Sequence, residues 1–393
     1  MKKILFALIP TILLGISCKK DKLSKETQTE TQTETQTETE TFSTTTVEED
    51  KANITRSFEN IVSCMSTMKD GDLMTAFVDF GNISNGEALD EDFVEDLFEN
   101  MDDAIEEIDF PEDEDRLPFE SFTGTWSYNI SNSTWSHINS PSNKIIVKFP
   151  SDKYKTSNNV TASLSDYKDK KYIVDMENVW LPTSFVMSVV KDGVKLAELD
   201  LNDLDLEESN DLPIPTNIDV SLFLKPFTFA FSGERTSSKE FTAEARFDDG
   251  SNCEYVANSN LVLAHDDYEN IVDEDIVSLG GFVSHNEMKM EYFLSLGEIF
   301  EIGNANDELS DDDMNNNMDI KLFMSGSKIG DITINTTSEE IDDGWGGYTE
   351  TSTDFIITYK NGESDNAEVY LDPFIEDLEN LFQSITGDVE EIW

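Results

Sequence analysis

Histidine is scarce in this chain. The three present, His137, His265 and His285, lie far apart, with no two inside ten positions of each other. That spacing excludes the HExxH helix and the Cys/His clusters that hold zinc. Cysteine is as scarce, at three residues, Cys18, Cys64 and Cys253, too few for a disulfide-framework fold. Glycine-rich phosphate loops, dinucleotide fingerprints and the G-x-S-x-G turn are all missing. Basic residues number 27 against 83 acidic ones. Nucleic-acid binding needs a basic stripe that displaces counterions from phosphates, so that class is excluded. An anionic headgroup surface would repel the same body. Such like charge favours a soluble monomer.

What is present begins at the first residue. Lys2 and Lys3 precede an uncharged run from Ile4 to Ile16, too short to span a bilayer as a mature helix, and Gly15 and Ser17 lead directly to Cys18. This resembles the signal peptide of a bacterial lipoprotein, of the looser Bacteroidetes type, although Gly15 stands where the family usually has Leu. The resemblance implies cleavage before Cys18, a lipid on Cys18, and attachment to the membrane through that lipid alone. Removal of Lys2 and Lys3 leaves 25 basic residues and a formal charge of −58. The resemblance also implies an outer-membrane location, facing the periplasm or the cell surface; Lys19 in place of Asp argues against retention in the inner membrane.

Residues 18–48 carry the lipid site and a tether. Thr occupies every odd position from Thr27 to Thr41, alternating with Gln or Glu, and no large apolar residue stands between Leu23 and Phe42. Nothing there can build a core. Residues 49–112 read as helical. Ile54, Phe58, Ile61, Val62, Met65 and Met68 recur at helical spacing up to Asp70-Gly71, and Leu73–Phe80 and Leu89–Ile108 repeat the pattern. From residue 113 the period becomes two. Phe122, Trp126, Tyr128 and Ile130 fall on one face, and eight later segments alternate likewise, the series 288–296 among them. Turns are marked by Asp192-Gly193, Asp249-Gly250 and Asn361-Gly362. The β region divides into a first half, 113–264, and a second, 265–393, which ends in a helix capped by Asp372 with Pro373 in its first turn. The expected fold is α+β: a large, curved, hairpin-rich antiparallel sheet with N- and C-terminal helices on one face.

An internal echo supports duplication. Gly193–Asn202 aligns with Gly326–Asn335, and Phe241–Ser251 with Phe355–Ser364, which requires an extra hairpin in one half. The run Gly124–Tyr128, Trp135, Lys144–Pro150, Ser157–Val160 and Leu181–Thr183 resembles a group of Bacteroidetes-type lipoproteins. That resemblance implies no activity or ligand, so no site residue follows from it.

Candidate site residues are few. Trp345 and Tyr348, in a glycine-rich loop, are the aromatics best suited to stack on a sugar. The acidic run from Asp307 to Asp319, with Asp311 and Asp313, is the weak calcium candidate; its expected role is a solvated connection between strands, with no metal and no cofactor. His265 is expected in a satisfied surface turn. Trp126, Tyr128 and Trp135 are expected in the core. Cys64 and Cys253 can pair in an envelope compartment, but two separate buried thiols are the expectation. The function these features suggest is a non-enzymatic envelope lipoprotein with a binding, carrier or architectural role, its ligand apolar in a half-barrel groove. A glycan-binding accessory protein is the alternative. A hydrolase is a further one, because a carboxylate pair has no signature among 83 acids.

Overall fold

The computed structural model describes residues 41–70, 119–140, 143–151, 154–174, 177–207, 214–248, 253–306, 309–341 and 348–375. Cys18, most of the tether, the helical patterns at 73–80 and 89–108, Trp345 and Asp307 lie outside them.

Sixteen strands form one open sheet in the order β16-β15-β14-β13-β12-β11-β10-β9-β8-β7-β6-β5-β4-β3-β1-β2. Strands β1 (Gly124–Asn129), β2 (Thr134–Asn139) and β3 (Lys144–Phe149) form one end, with β1 and β3 parallel. From β3 onward every pair is antiparallel: β4 (Val160–Val174), β5 (Glu177–Lys191), β6 (Val194–Glu207), β7 (Ile214–Leu224), β8 (Phe227–Arg235), β9 (Glu240–Asp248), β10 (Glu254–Leu263), β11 (Ile276–His285), β12 (Met288–Leu294), β13 (Met318–Met324), β14 (Ser327–Ile341), β15 (Tyr348–Tyr359) and β16 (Ser364–Asn366). The sheet runs unbroken across residue 264, because β10 and β11 pair from Tyr255↔His285 to Leu263↔Ile276.

Directly opposed residues share a face, so the register can be followed across the molecule. Met187, Leu199, Leu222, Phe229, Phe247, Tyr255, His285, Met288 and Met324 form one row from β5 to β13. This is the apolar face that the alternation predicts. The opposite face carries Ser, Thr, Asp, Glu and Lys, with a few Phe among them.

Helix α1 (Val47–Asp70) lies on the apolar face. It starts with a capping box: Thr46 Oγ1 accepts from Glu49 N–H, and the Glu49 carboxylate accepts from Thr46 N–H. Its apolar stripe then meets the sheet. Val47 and Ile54 pack with Leu322, Met324, Ile329, Ile357, Tyr359, Ala367 and Tyr370 in the main core. Fully burying an Ile contributes about 1.5–3 kcal/mol. Further along, the Tyr255 hydroxyl donates to Ile61 C=O, and Cys64 is joined to Cys253 beside β10, with Cα atoms 5.7 Å apart. The expectation of two separate thiols is therefore corrected. The helical path across β14 to β10 brings together cysteines 189 positions apart, which local patterning does not encode.

Four local expectations also change. Phe122 belongs to a short helix, α2 (Phe119–Phe122), and reaches the Trp126 cluster from there, while Ile130 sits in the following turn. Leu296 opens a helix, α3 (Leu296–Asn306), instead of extending β12. The acidic run holds a helical turn, α4 (Asp311–Asn316). The C-terminal helix starts at residue 368, ahead of Asp372 and Pro373, and Asn366 Oδ1 accepts Glu368 N–H at that point.

The echo around Gly193 and Gly326 holds pair by pair. Asp192-Gly193 and Ser325-Gly326 are both two-residue turns with positive φ at each residue, the geometry for which glycine is suited. Lys191↔Val194 and Val190↔Lys195 precede Val189↔Ala197, so Leu196 is an inserted residue. Met324↔Ser327 and Phe323↔Lys328 precede Leu322↔Gly330, so Ile329 is inserted at the matching place. The match extends to a third strand: Leu199 faces Leu222 as Ile332 faces Ile357. The counterpart of β15 is therefore β7, not β9. The alignment of Phe241–Ser251 with Phe355–Ser364 is a coincidence of alternation, and the extra hairpin it required is not needed. The two copies differ in cover. Met187 is 48% exposed, whereas its equivalent Ile320 is 4% exposed.

Candidate functional site

The histidines are tied to structure. His137 Nε2 lies 3.1 Å from Thr123 C=O, and its ring stacks on Trp126 at 4.2 Å. His265 pairs with Asp275 at 3.1 Å, and its other nitrogen accepts Asp267 N–H, the satisfied surface turn that was expected. His285 is buried, with Nδ1 at 3.1 Å from Glu254 C=O and its ring stacked on Tyr255 at 4.4 Å. Burial holds its pKa below the ordinary imidazole value, against the opposing pull of that carbonyl. Among the described residues no three His, Cys, Asp or Glu side chains converge as metal ligands.

A pH effect follows from His285. The unfolded chain takes up its proton near the ordinary pKa of about 6.5, while the folded state resists it. The contribution to stability is complete above that pH and is lost as pH falls through the lower folded pKa. In urea unfolding between pH 7.5 and 5, wild type should lose more stability, or gain less, than His285→Gln. Parallel profiles for the two proteins would refute the assignment.

The calcium candidates point to separate tasks. Asp313 caps α4, accepting from Ser310 N–H and Oγ, and these hydrogen bonds hold its carboxyl below the usual range. Asp311 accepts Thr336 N–H at 2.7 Å. Asp319 pairs with Lys321 at 2.8 Å. Tyr348 pairs through its backbone with Ile341 at the start of β15. Trp126, Tyr128 and Trp135 are buried together, as core residues.

Two hollows lie elsewhere. One, about 340 Å³, is polar and lies by the β1–β2 hairpin, bordered by Ser127, Ser136, Ser157 and Asn158. The other, about 230 Å³, lies on β11–β13. Two rows of the polar face meet in it: Phe282, Glu291 and Lys321 in one, Phe293 and Asp319 in the next. Phe293 is 48% exposed. Its ring reaches Gly280, opposite on β11, where a Cβ would come within 3.1 Å of Cδ2. Lys289 pairs with Glu291 at 2.5 Å and stands 4.6 Å from the Phe282 ring centre. This group escaped the sequence reading. Its one trace is Phe293, an aromatic where the alternation of β12 calls for a polar residue after Lys289 and Glu291.

No protein-family description, no curated protein and no solved structure matches the chain.

Proposed function

We propose that this protein is an exported, lipid-anchored envelope protein with a non-enzymatic binding role, presenting the polar face of its sheet to a partner. The observation that carries the binding role is the division of labour between the two faces. α1 fills the apolar face over β13–β15 with Val47 and Ile54, which speaks against an acyl chain seated there. The other face keeps an exposed aromatic ring among charged pairs. The reading as an exported protein draws support from the Cys64–Cys253 bond, since disulfides persist in oxidising compartments. Among the described residues no helix is long and apolar enough to cross a membrane. The anchor in this reading is the lipid on Cys18.

Fractionation of cells tests the anchor. Cys18→Ala should move the protein from the membrane pellet to the soluble fraction, because stable attachment depends on acyl chains. Unchanged pelleting of the variant would refute lipid anchoring.

A further inference from the structure

We infer that the hollow on β11–β13 is a saccharide subsite, with the Phe293 ring as its stacking platform. This deepens the binding role proposed above and rests on it. The Cδ2 edge of Phe293 lies against Gly280, a position where any side chain would press against the ring. The ring meets that position with its Cδ2 edge, and 48% of the residue remains exposed. An exposed aromatic on a polar sheet face is costly to leave in water, and covering it with an apolar C–H surface recovers that cost. A pyranose presents such a surface on one side and hydroxyls around its rim.

The groups around Phe293 suit that rim. Asp319 and Lys321, 2.8 Å apart, stand on one side, and Glu291 with Lys289 on another. Carboxylates accept from hydroxyls and ammonium groups donate to them, and charge-assisted bonds of this kind are the stronger ones. Each charge already has its counter-ion, so a neutral ligand can bind without leaving a charge uncompensated. The acidic body, at −56 before any processing, disfavours anionic sugars. The ligand class is therefore a neutral hexopyranose unit, within a longer chain.

The test uses the full mature chain in detergent micelles and four neutral hexasaccharide probes: cello-, malto-, laminari- and mannohexaose. Saturation-transfer NMR should show transfer to the ring C–H protons of at least one. Phe293→Ala should weaken that binding about tenfold. Phe293→Trp should retain it, and Lys321→Met should weaken it with the melting temperature unchanged. Transfer to none of the four probes, or transfer indifferent to Phe293→Ala, would overturn the inference. If Phe293→Ala does not fold, Phe293→Trp and Lys321→Met decide: loss of binding in the folded Trp variant, or none in Lys321→Met, counts against the subsite. A protein partner captured by the same face from native envelopes, with no saccharide bound, would defeat this inference and leave the binding role standing.

Discussion

Removing the Cys64–Cys253 bond should cost the protein about 3–5 kcal/mol of stability. The bond closes a loop spanning 189 positions, and in the chain-entropy account a loop of that size restricts the unfolded ensemble by about 5 kcal/mol. The bond also ties the far part of α1 to the sheet, beside the Tyr255 hydroxyl on Ile61 C=O and the burial of Ile61 itself. The measurement is urea unfolding of wild type and of the Cys64→Ala, Cys253→Ala double variant, each with and without dithiothreitol. Reductant should bring wild type down to the level of the variant and leave the variant where it is. Equal stability of all four samples would mean the two cysteines are not bonded in solution.

The second large effect is expected at the point where the chain enters the fold. Asp50, in the first turn of α1, is 1% exposed. Ser43 Oγ donates to both of its oxygens, at 2.9 and 3.1 Å, Thr45 Oγ1 donates to Oδ1, and Lys360 Nζ lies 3.5 Å from Oδ2. Lys360 also donates to the backbone carbonyls of Ser43 and Thr45. One lysine just after β15 thus neutralises a buried carboxylate and ties down the last part of the 18–48 segment. Breaking a buried pair by removing one partner leaves an uncompensated charge. Lys360→Met should therefore destabilise the protein by about 3 kcal/mol, and adding Asp50→Asn should recover part of the loss. A change below about 0.5 kcal/mol in Lys360→Met would place the pair among ordinary surface ion pairs.

Both predictions concern contacts between residues far apart in the chain, and this is where sequence and structure divide. The sequence by itself determined many of the strands, the apolar face of each of those, and turns such as Asp192-Gly193 and Asn361-Gly362. Period two in Ile218–Leu224, Phe227–Phe231 and Phe355–Tyr359 is a local property of the pleat, and Asp192-Gly193 carries its own backbone preference. It likewise determined the span of α1 up to Asp70, through a stripe at helical spacing, and the core position of Trp126 and Tyr128.

Only the tertiary structure decided which of these elements meet. Cys64 finds Cys253 because α1 crosses the sheet from β15 toward β10, a path no local pattern records. Lys360 finds Asp50 for the same reason. The partner of β15 in the duplication is β7 because the inserted residues Leu196 and Ile329 fix the register of their hairpins, whereas alternation alone fits β9 equally well. The candidate site shows the same division. Asp319 is visible in the sequence as one more acid in an acidic run. It becomes part of a site only because β11, β12 and β13 set Phe282, Phe293 and Lys321 beside it, on the face that the apolar pattern left for water.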